Sequence, residues 1–398
     1  MSTKTTYKQT ELGLIPEDWE VKKFNKFSKF YSGGTPLTSK SEYYGGEIPF
    51  IKSGEIYYDR TEQFLTQEGL NNSSAKLVYR GDLLYALYGA NSGEVAISQL
   101  EGAINQAILC IQQNKDEAET IYLYNYLKLE KSNIINKFLQ GGQGNLSADI
   151  IKNLQIPLPP LPEQKKIADC LSTWDCAIEK QSQLINALTQ RKKALMQQLL
   201  TGKKRLPGFE GKWNLNSIND LFIFKNGKAH ENDIDENGKY ILVNSKFIST
   251  DGEISKKTNS NLAPLEVNDL VFVMSDVPNG KALAKFCLIK EDNLYTLNQR
   301  IGLLKIKKGN PIFMYYLLNR NSYFLMFDNG VGQTNLRKDD ILDCPLNIPS
   351  LSEQTAIAEI LATADRELTL QKEKLAQLQT QKKGLMQVLL TGKKRLLN

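Results

Sequence analysis

Histidine is almost absent from this chain, although it is the side chain that most often moves protons in enzymes near neutral pH. His230 is the only histidine among 398 residues. Catalytic triads, general acid–base pairs and zinc clusters usually need histidine beside a specific partner. The composition therefore argues against each of these classes of site.

Cysteine is present but is not arranged for chemistry. The cysteines are scattered, odd in number and never form a CxxC pair, so neither a disulfide framework nor a zinc site is expected. We interpret them as reduced thiols that serve packing. They are Cys110, Cys170, Cys176, Cys287 and Cys344.

Nucleotide-binding and catalytic motifs are missing as well. No Gly-Lys pair is followed by the Ser or Thr of a phosphate-binding P-loop. The GGQG motif at Gly141 follows a helical pattern, which favours a helix-capping loop over a dinucleotide site. In PEDWEVK, Asp18 and Glu20 are too close in sequence to come from adjacent strands around one metal ion. The NPPY-type strand end of adenine methyltransferases is also absent. The chain is therefore not expected to be an enzyme.

Long apolar runs are lacking too. No run of about 18 apolar residues could cross a membrane, and the opening MSTKTTYKQT lacks the apolar core of a signal peptide. We therefore expect a cytoplasmic protein with no membrane partner. The net charge of +6 and the pI near 8.8 permit a polyanionic partner without identifying one.

The chain does contain a long internal repeat. Residues 161–206 return as residues 351–396 at a constant offset of 190, with no gap and about half of the positions identical. The similarity extends upstream, because GGQGNLSADIIKNLQIPLPPL from Gly141 matches VGQTNLRKDDILDCPLNIPSL from Val331. Identity is high over residues 161–206 and 351–396 and low in the parts of the half-chains before them. The chain therefore consists of two half-chains with similar ends and divergent beginnings.

Both copies of the repeat predict a long helix. Apolar residues alternate by threes and fours, a 3.5-residue period that predicts two helices packed on each other as a coiled coil. A glutamine and a lysine interrupt each seam, and buried polar seam residues fix register at some cost in stability. The seam consists of Ile167, Leu171, Trp174, Ile178, Gln181, Ile185, Leu188, Lys192, Leu195 and Leu199, and of Ile357, Leu361, Ala364, Leu368, Gln371, Leu375, Leu378, Lys382, Leu385 and Leu389.

Local signals mark the ends of the first long helix. Pro162 is suited to a first helical turn, and Glu163 adds an acid where the helix dipole favours one. Gly202 is the residue type that ends helices in a left-handed conformation, and Arg205 lies near the negative helix end. The helix is therefore expected to lie between these signals.

Each half-chain opens with a globular module of short β-rich runs and a helix, which indicates an α/β (α+β) fold. In the first module, such runs precede a helical period over residues 120–138, and in the second, residues 311–327 take the place of that helix. The predicted boundaries are residues 1–157 for the first module, 158–206 for the first long helix, 207–347 for the second module and 348–398 for the second long helix.

Together these features resemble one family, the specificity subunits of type I restriction-modification systems. The resemblance covers nearly the whole chain, including the helix openings PLPPLPEQKKIADCLS at Pro157 and IPSLSEQTAIAEILA at Ile348 and the connection RKKALMQQLLTGKKRLPGFEGKW from Arg191. It implies two target recognition domains, each reading one half of an asymmetric, interrupted DNA site. It also implies that two antiparallel coiled-coil helices, related by pseudo-two-fold symmetry, join these domains and set the spacer.

The resemblance further implies the partners and the cofactors. The partners would be double-stranded DNA, two modification (methyltransferase) subunits docked on the coiled coil and, through the complex, restriction (translocase and nuclease) subunits. No cofactor is expected in this chain, since S-adenosylmethionine, ATP and Mg would be bound by partner subunits.

Reading DNA requires polar side chains that loops present to the groove edges. For each candidate, ordinary loop polarity without DNA contact is an equally open interpretation, and for the repeated Gln-x-Asn pairs repeated loop geometry is favoured slightly over base reading. His230 is interpreted as an ordinary surface or DNA-facing loop residue. The first-module candidates are Lys52, Ser53, Tyr57, Tyr58, Arg60, Tyr88, Asn91, Gln143 and Asn145, and the second-module candidates are Asn244, Ser245, Lys246, Asn279, Lys281, Gln333, Asn335, Arg337 and Lys338.

Two other classes of function stay open. A coiled-coil adaptor whose two heads bind proteins would lack the steep salt dependence that phosphate contacts confer on DNA binding. A self-sufficient DNA-modifying enzyme would transfer methyl groups without partners, which the missing motifs argue against.

Overall fold

The computed structural model describes residues 6–138, 145–278 and 280–396. The chain forms two compact units that do not follow chain order. The first unit comprises Met1–Ser182 and Glu373–Asn398, and the second comprises Gln183–Lys372. Each unit therefore contains one module and part of both long helices.

The first module is built on two four-stranded sheets. The first is antiparallel throughout, with the order Ser28–Ser32, Ile108–Gln113, Leu83–Ala86, Val95–Ile97. The second has the order Phe64–Leu65, Tyr44–Ile51, Gly102–Ile104, Lys76–Val78, and its central pair is parallel.

A long helix completes the core of the first module. All four residues of the strand Leu83–Ala86 are buried, as expected for an apolar run covered on both faces. On one side Leu83 and Tyr85 share a core with Tyr122 and Leu123 of the helix Thr120–Phe138. The predicted helix over residues 120–138 is confirmed.

The second module repeats this plan with shorter elements. One sheet has the order Phe222–Asn226, Ile301–Ile306, Leu270–Val273, Phe286–Leu288. The other has the order Lys256–Thr258, Tyr240–Val243, Tyr295–Leu297, again with one parallel pair.

The helical segment of the second module is broken, which corrects the expectation of one helix over residues 311–327. Two helices form instead, Pro311–Leu318 and Ser322–Leu325. The side chain of Asn321 accepts a hydrogen bond from Tyr323 N at 3.0 Å and so starts the second helix anew. Arg320 just before it has a φ of +57°, which a continuous helix does not allow.

Short elements close both modules. The paired strands are Tyr7–Thr10 with Gly13–Pro16, Glu20–Lys23 with Gln155–Leu158, Asn214–Ser217 with Pro345–Ile348, and Ser275–Asp276 with Thr334–Asn335. The short α-helices are Gln67–Asn71, Ala148–Lys152, Ile218–Leu221, Ser245–Ser249 and Lys338–Leu342, and the 3-10 helices are Phe24–Lys26, Ser41–Tyr43 and Glu231–Asp233.

The two long helices, Leu161–Leu199 and Leu351–Leu389, have 39 residues each. In the first unit, Ile167 and Leu171 of one helix share a core with Leu389 of the other. In the second unit, Leu199 shares a core with Ile357. Every seam position is buried or half-buried. The predicted packing of the two copies on each other is confirmed.

Ion pairs show that the helices run antiparallel within each unit. In the first unit Asp175 pairs with Lys382 at 2.5 Å, while in the second Lys192 pairs with Asp365. These partners are related by the 190-residue offset, so the same contact is made twice. Lys382 is only 5% exposed, and burial lowers its pKa although Asp175 acts in the opposite direction.

The arginine of each TGKKRL motif forms an ion pair with the glutamate at the start of the other long helix, within one unit. In the first, both Arg395 and Trp19 Nε1 donate hydrogen bonds to Glu163, and the guanidinium lies over the Trp19 ring. Arg395 also donates two hydrogen bonds to Asp18 and thereby lowers the pKa of that carboxyl. The sequence predicts a basic residue near the helix end, but it does not indicate these partners within the chain.

The second unit holds the matching arrangement. Arg205 donates two hydrogen bonds to Glu353, at 2.6 and 2.7 Å, and lies over the ring of Trp213. The start of each long helix is therefore fastened to a module tryptophan by an arginine that follows the other helix.

Candidate nucleic-acid interface

Three loops of the first module meet on one surface, which we call the first loop surface (residues 52–60, 88–94 and 145–147). A Cβ at Gly54 would lie 3.4 Å from Asn91 Nδ2, so the first two loops are in contact. Leu146 N donates to Leu87 O at 2.9 Å and brings the third loop beside them. Loops that lie far apart in the sequence therefore come together on one surface.

Of the two tyrosines in the first loop, Tyr57 is hydrogen-bonded within the module and Tyr58 is the more exposed. Tyr57 donates a hydrogen bond to Glu94, which also pairs with Lys131. Burial raises the pKa of Glu94, but the bonds from Lys131 and Tyr57 outweigh burial and hold it below the usual value. Burial and then Glu94 raise the pKa of the Tyr57 phenol, so it stays a neutral donor. Tyr58 is 58% exposed and is available for stacking.

The other first-module candidates vary in exposure. Arg60 and Asn145 are exposed, and Lys52, Ser53 and Asn91 are half-buried. Tyr88 packs against the first core, where burial raises its pKa, so it belongs partly to the scaffold. Gln143 lies outside the described residues.

The second module carries a polar cleft of about 730 Å³, which we call the second-module cleft. It contains the predicted residues Asn244, Ser245, Lys246 and Gln333, which the structure therefore brings together. Its complete lining is Asn244, Ser245, Lys246, Lys256, Ser275, Asp276, Val277, Asn298, Gln299, Arg300, Ile301 and Gln333.

Two of the predicted residues shape the cleft through their own hydrogen bonds. Asn244 caps the helix Ser245–Ser249, since its side-chain oxygen accepts from Phe247 N at 2.9 Å. Gln333 donates to Ser275 Oγ at 2.6 Å. Lys246 is exposed at the mouth.

A smaller hollow of about 360 Å³ shares Gln333 with the cleft and is also lined by Asn335 and Arg337. Asn335 and Arg337 are exposed, as is Lys338 at the start of its helix. Lys281 is exposed but lines neither hollow. Asn279 lies outside the described residues.

Sequence reasoning missed the turn at Asn298–Arg300 and the nearby Lys256 and Asp276. A signal existed for the turn, because the NQ pair at Asn298 repeats the NQ pair at Asn105. Lys256 and Asp276 belong to no recognisable sequence motif. They line the cleft because of the way the strands are ordered in the fold.

The interpretation of His230 as a surface or DNA-facing residue is wrong. His230 is 1% exposed. Its Nδ1 is 2.8 Å from Lys228 O and its Nε2 is 3.1 Å from Thr296 Oγ1, so both ring nitrogens are engaged inside the module. A single polar residue in a glycine- and acid-rich stretch resembles a surface loop in sequence, whereas the partner of its buried ring, Thr296, lies 66 residues further along the chain.

Two searches over the described ranges bear on other classes of function. They hold no group of three or more His, Cys, Asp or Glu side chains suited to a metal ion. Within the same ranges, each helix is too short or too polar to span a membrane.

Comparison with known proteins places these features in one family. The model of the type I restriction modification DNA specificity domain matches twice, at residues 16–190 and 210–380. The specificity subunit of the type I restriction enzyme MjaVIII from Methanocaldococcus jannaschii is 27% identical to this chain, and the alignment covers 96% of this chain and 95% of the relative. The putative MjaX specificity subunit of the same organism is 25% identical over 97% and 96% of the two chains.

Solved structures share the fold. The S subunit of a type I restriction-modification system from M. genitalium has a TM-score of 0.59 at 16% identity, over 93% of this chain and 96% of that one. A chain from a study of complex assembly and conformational transition in the type I R-M system has a TM-score of 0.62 at 15% identity, over 96% and 99%. Since the domain model matches both half-chains, this protein belongs to the type I restriction modification DNA specificity family.

Proposed function

We propose that this chain is the non-catalytic DNA-sequence reader and assembly scaffold of a type I restriction-modification complex. One observation carries the proposal: a DNA specificity domain is present twice, with nearly the same helix contacts and different loop side chains. Two different modules would read two different half-sites, so the target would be asymmetric. A true homodimer would instead favour a palindromic site.

The reading modules are assigned to residues 1–157 and 207–347, and the helical segments to residues 158–206 and 348–398. The first loop surface and the second-module cleft supply the candidate reading residues. A bidentate base contact is worth about 1–3 kcal/mol of discrimination at one base pair. A lysine on phosphate would weaken binding to all sequences alike.

The long helices are proposed to set the unread spacer. Each has 39 residues and extends about 58 Å at about 1.5 Å per residue. Inserting one heptad after Gln183 and another after Glu373 keeps both seams in phase and adds about 10 Å. The spacer should lengthen by about three base pairs, at about 3.4 Å each. A methylome with the original spacer would contradict this role.

The proposed partners are double-stranded DNA, two modification subunits and, through the complex, restriction subunits. Two similar half-chains would offer two similar docking surfaces, which suits two copies of one partner. S-adenosylmethionine, ATP and Mg would be bound by those partners, and the complex would act in the cytoplasm.

Reconstitution with the modification subunits tests the proposal. The complex should methylate one bipartite sequence, and its affinity for DNA should fall steeply with salt because phosphate contacts release counterions. The purified chain alone should transfer no methyl groups. Absence of sequence-selective methylation would overturn the proposal, and salt-insensitive protein binding would favour an adaptor instead.

A further inference from the structure

The turn that joins Tyr295–Leu297 to Ile301–Ile306 has an unusual backbone. Ile301 N donates to Asn298 O at 3.4 Å, which closes a four-residue turn with Arg300 in its third position. Arg300 has a φ of +67°, whereas Gln299 is not among the residues with positive φ. This combination matches a type II turn, whose third position favours glycine or asparagine. Arginine there is strained, because its Cβ crowds the backbone.

The matching turn of the first module avoids this strain. Ile108 N donates to Asn105 O at 3.2 Å, but Ala107 occupies the third position without a positive φ. Asn105 Oδ1 accepts a hydrogen bond from Ala107 N at 3.1 Å. Asn298 Oδ1, by contrast, is buried without a hydrogen-bond partner in the part of the chain that the structure describes. The second module thus forgoes both a relaxed backbone and a hydrogen bond at this turn.

The surroundings hold the strained turn in place. Asn298 N donates to Val243 O at 3.0 Å, and Gln299 N donates to Lys228 O at 2.9 Å. A left-handed non-glycine residue persists only where neighbouring structure enforces it, and such residues cluster at functional sites. The root of the Arg300 side chain is therefore rigidly positioned at the second-module cleft.

The second-module cleft around Arg300 is lined by more positive than negative side chains. Three cations, Lys246, Lys256 and Arg300, line the cleft against one carboxylate, that of Asp276. Asp276 is already committed, since it accepts hydrogen bonds from the backbone N–H groups of Ala282 and Leu283 at 2.7 and 3.0 Å. Among the described residues, none of the three cations has an ion pair.

We propose that Arg300 is a specificity-determining residue that reads a guanine in the half-site of the second module. A guanidinium matches the O6 and N7 acceptors of guanine in the major groove with two parallel hydrogen bonds. A fixed side-chain root favours a base contact, because the two acceptors of a base edge lie at set positions in the groove. The proposal rests on the proposed function as a DNA reader.

The test uses the full chain in complex with modification subunits and a DNA library randomised across the site. Arg300→Lys keeps the charge and loses the planar fork. Arg300→Asn removes the charge and keeps a residue that tolerates positive φ. Both variants should lose discrimination at one guanine position of the second half-site by about 5- to 150-fold, with the first half-site unchanged. Lys225→Asn, an exposed cation outside the cleft lining, serves as the charge control and should leave every position unchanged.

The outcomes separate this inference from the proposed function. A wild-type complex without sequence preference would overturn the proposed function itself. If the wild type is selective but Arg300→Lys reads the site unchanged, or both variants weaken all sequences equally, Arg300 contacts phosphate and the inference fails. Loss of discrimination at a base other than guanine would also overturn it. Arg300→Asn should unfold at or above the wild-type temperature, because asparagine tolerates the positive φ, and this would exclude misfolding as the cause.

Discussion

At the start of the first long helix, Glu163 accepts hydrogen bonds from Arg395 and Trp19. At the start of the second long helix, Glu353 accepts hydrogen bonds from Arg205. Trp213 Nε1, the counterpart of Trp19 Nε1, is buried without a hydrogen-bond partner within the described ranges. Asp18 adds a second carboxylate in the first unit, while Lys212 occupies the equivalent position in the second. The same fastening is therefore made twice, and more completely in the first unit.

This difference shows what the duplication has kept. The arginine, glutamate and tryptophan of the fastening and the Asp–Lys pairs of the seam are present in both units. The loops at the first loop surface and the second-module cleft share few residues. The duplication has therefore kept the helices and their attachments alike, while the loops of the modules have diverged.

The largest expected effect is at Glu163. Glu163→Ala leaves the Arg395 guanidinium and Trp19 Nε1 without their shared acceptor in a site where Glu163 is 4% exposed. Arg395 keeps its hydrogen bonds to Asp18, so the loss comes from the unsatisfied Trp19 donor and from the lost bonds between Arg395 and Glu163. We expect it to be about 3–5 kcal/mol in the free energy of unfolding of the first unit. Urea unfolding followed by peptide-resolved hydrogen exchange reads each unit separately.

The matched variant Glu353→Ala should cost less, because the Arg205 side chain is 28% exposed against 7% for Arg395 and Trp213 Nε1 has no bond to Glu353 to lose. Equal losses would refute the ranking.

The glycines after the long helices give the next comparison. Gly392 and Gly202 have φ of +71° and +69°, so alanine is strained at both. A Cβ at Gly392 would lie 2.3 Å from Pro16 Cδ, while one at Gly202 would lie 3.3 Å from Trp213. Gly392→Ala should therefore lower the free energy of unfolding by about 2–3 kcal/mol, and Gly202→Ala by about 1–2 kcal/mol. The same exchange experiment measures both, and a larger loss for Gly202→Ala would contradict the packing argument.

The buried lysine of the seam gives a prediction that depends on pH. Asp175→Asn leaves Lys382 uncompensated and should cost the first unit about 1–3 kcal/mol at pH 7. Because the pKa of Lys382 is lowered on folding, the native state binds fewer protons than the unfolded state between that pKa and about 10.4. The contribution of Lys382 to the free energy of unfolding then rises with pH across this window. Raising the pH toward 10 should therefore reduce the loss.

A double variant provides the control for that prediction. Adding Lys382→Met to Asp175→Asn removes the buried charge and should restore most of the stability and abolish the part of its pH dependence that comes from Lys382. Urea unfolding at pH 7 and pH 10 measures both effects. A loss that persists in the double variant would mean that Asp175 acts through some other contact.

The smallest expected effect adds what the second unit lacks. Lys212→Asp places a carboxylate at the position that Asp18 occupies before Trp19. It should raise the unfolding midpoint of the second unit slightly, since it offers Arg205 a second acceptor near the surface. A lower midpoint would show that the two fastenings are not equivalent.

The sequence predicted the elements whose signals are local. The glycine at the end of each long helix, the seam spacing and the helix over residues 120–138 all depend on neighbours a few residues apart. The antiparallel register was implied only by resemblance. The partners of the seam lysines could not be foreseen, because Asp175 and Asp365 lie outside the seam and meet the lysines only in that register.

The kinds of residue in the candidate site could be predicted from the sequence, but not all of the residues that form it. Asn244, Lys246 and Gln333 are predicted from sequence as polar loop residues, and the structure places them in one cleft. Arg300 was missed because its position depends on a turn conformation that its residue type disfavours. His230 was misplaced because its burial depends on a strand contact far along the chain.

The most direct test of the central claim is the adenine methylation map of cells that carry this chain with its modification subunits. The map is compared with that of a chimera in which residues 207–347 are replaced by a second copy of the first module. The wild type should methylate an asymmetric bipartite sequence. The chimera should methylate a symmetric one, with the first half-site present twice in inverted orientation and the spacer unchanged. A chimera that keeps the asymmetric site would contradict the claim that each module reads its own half.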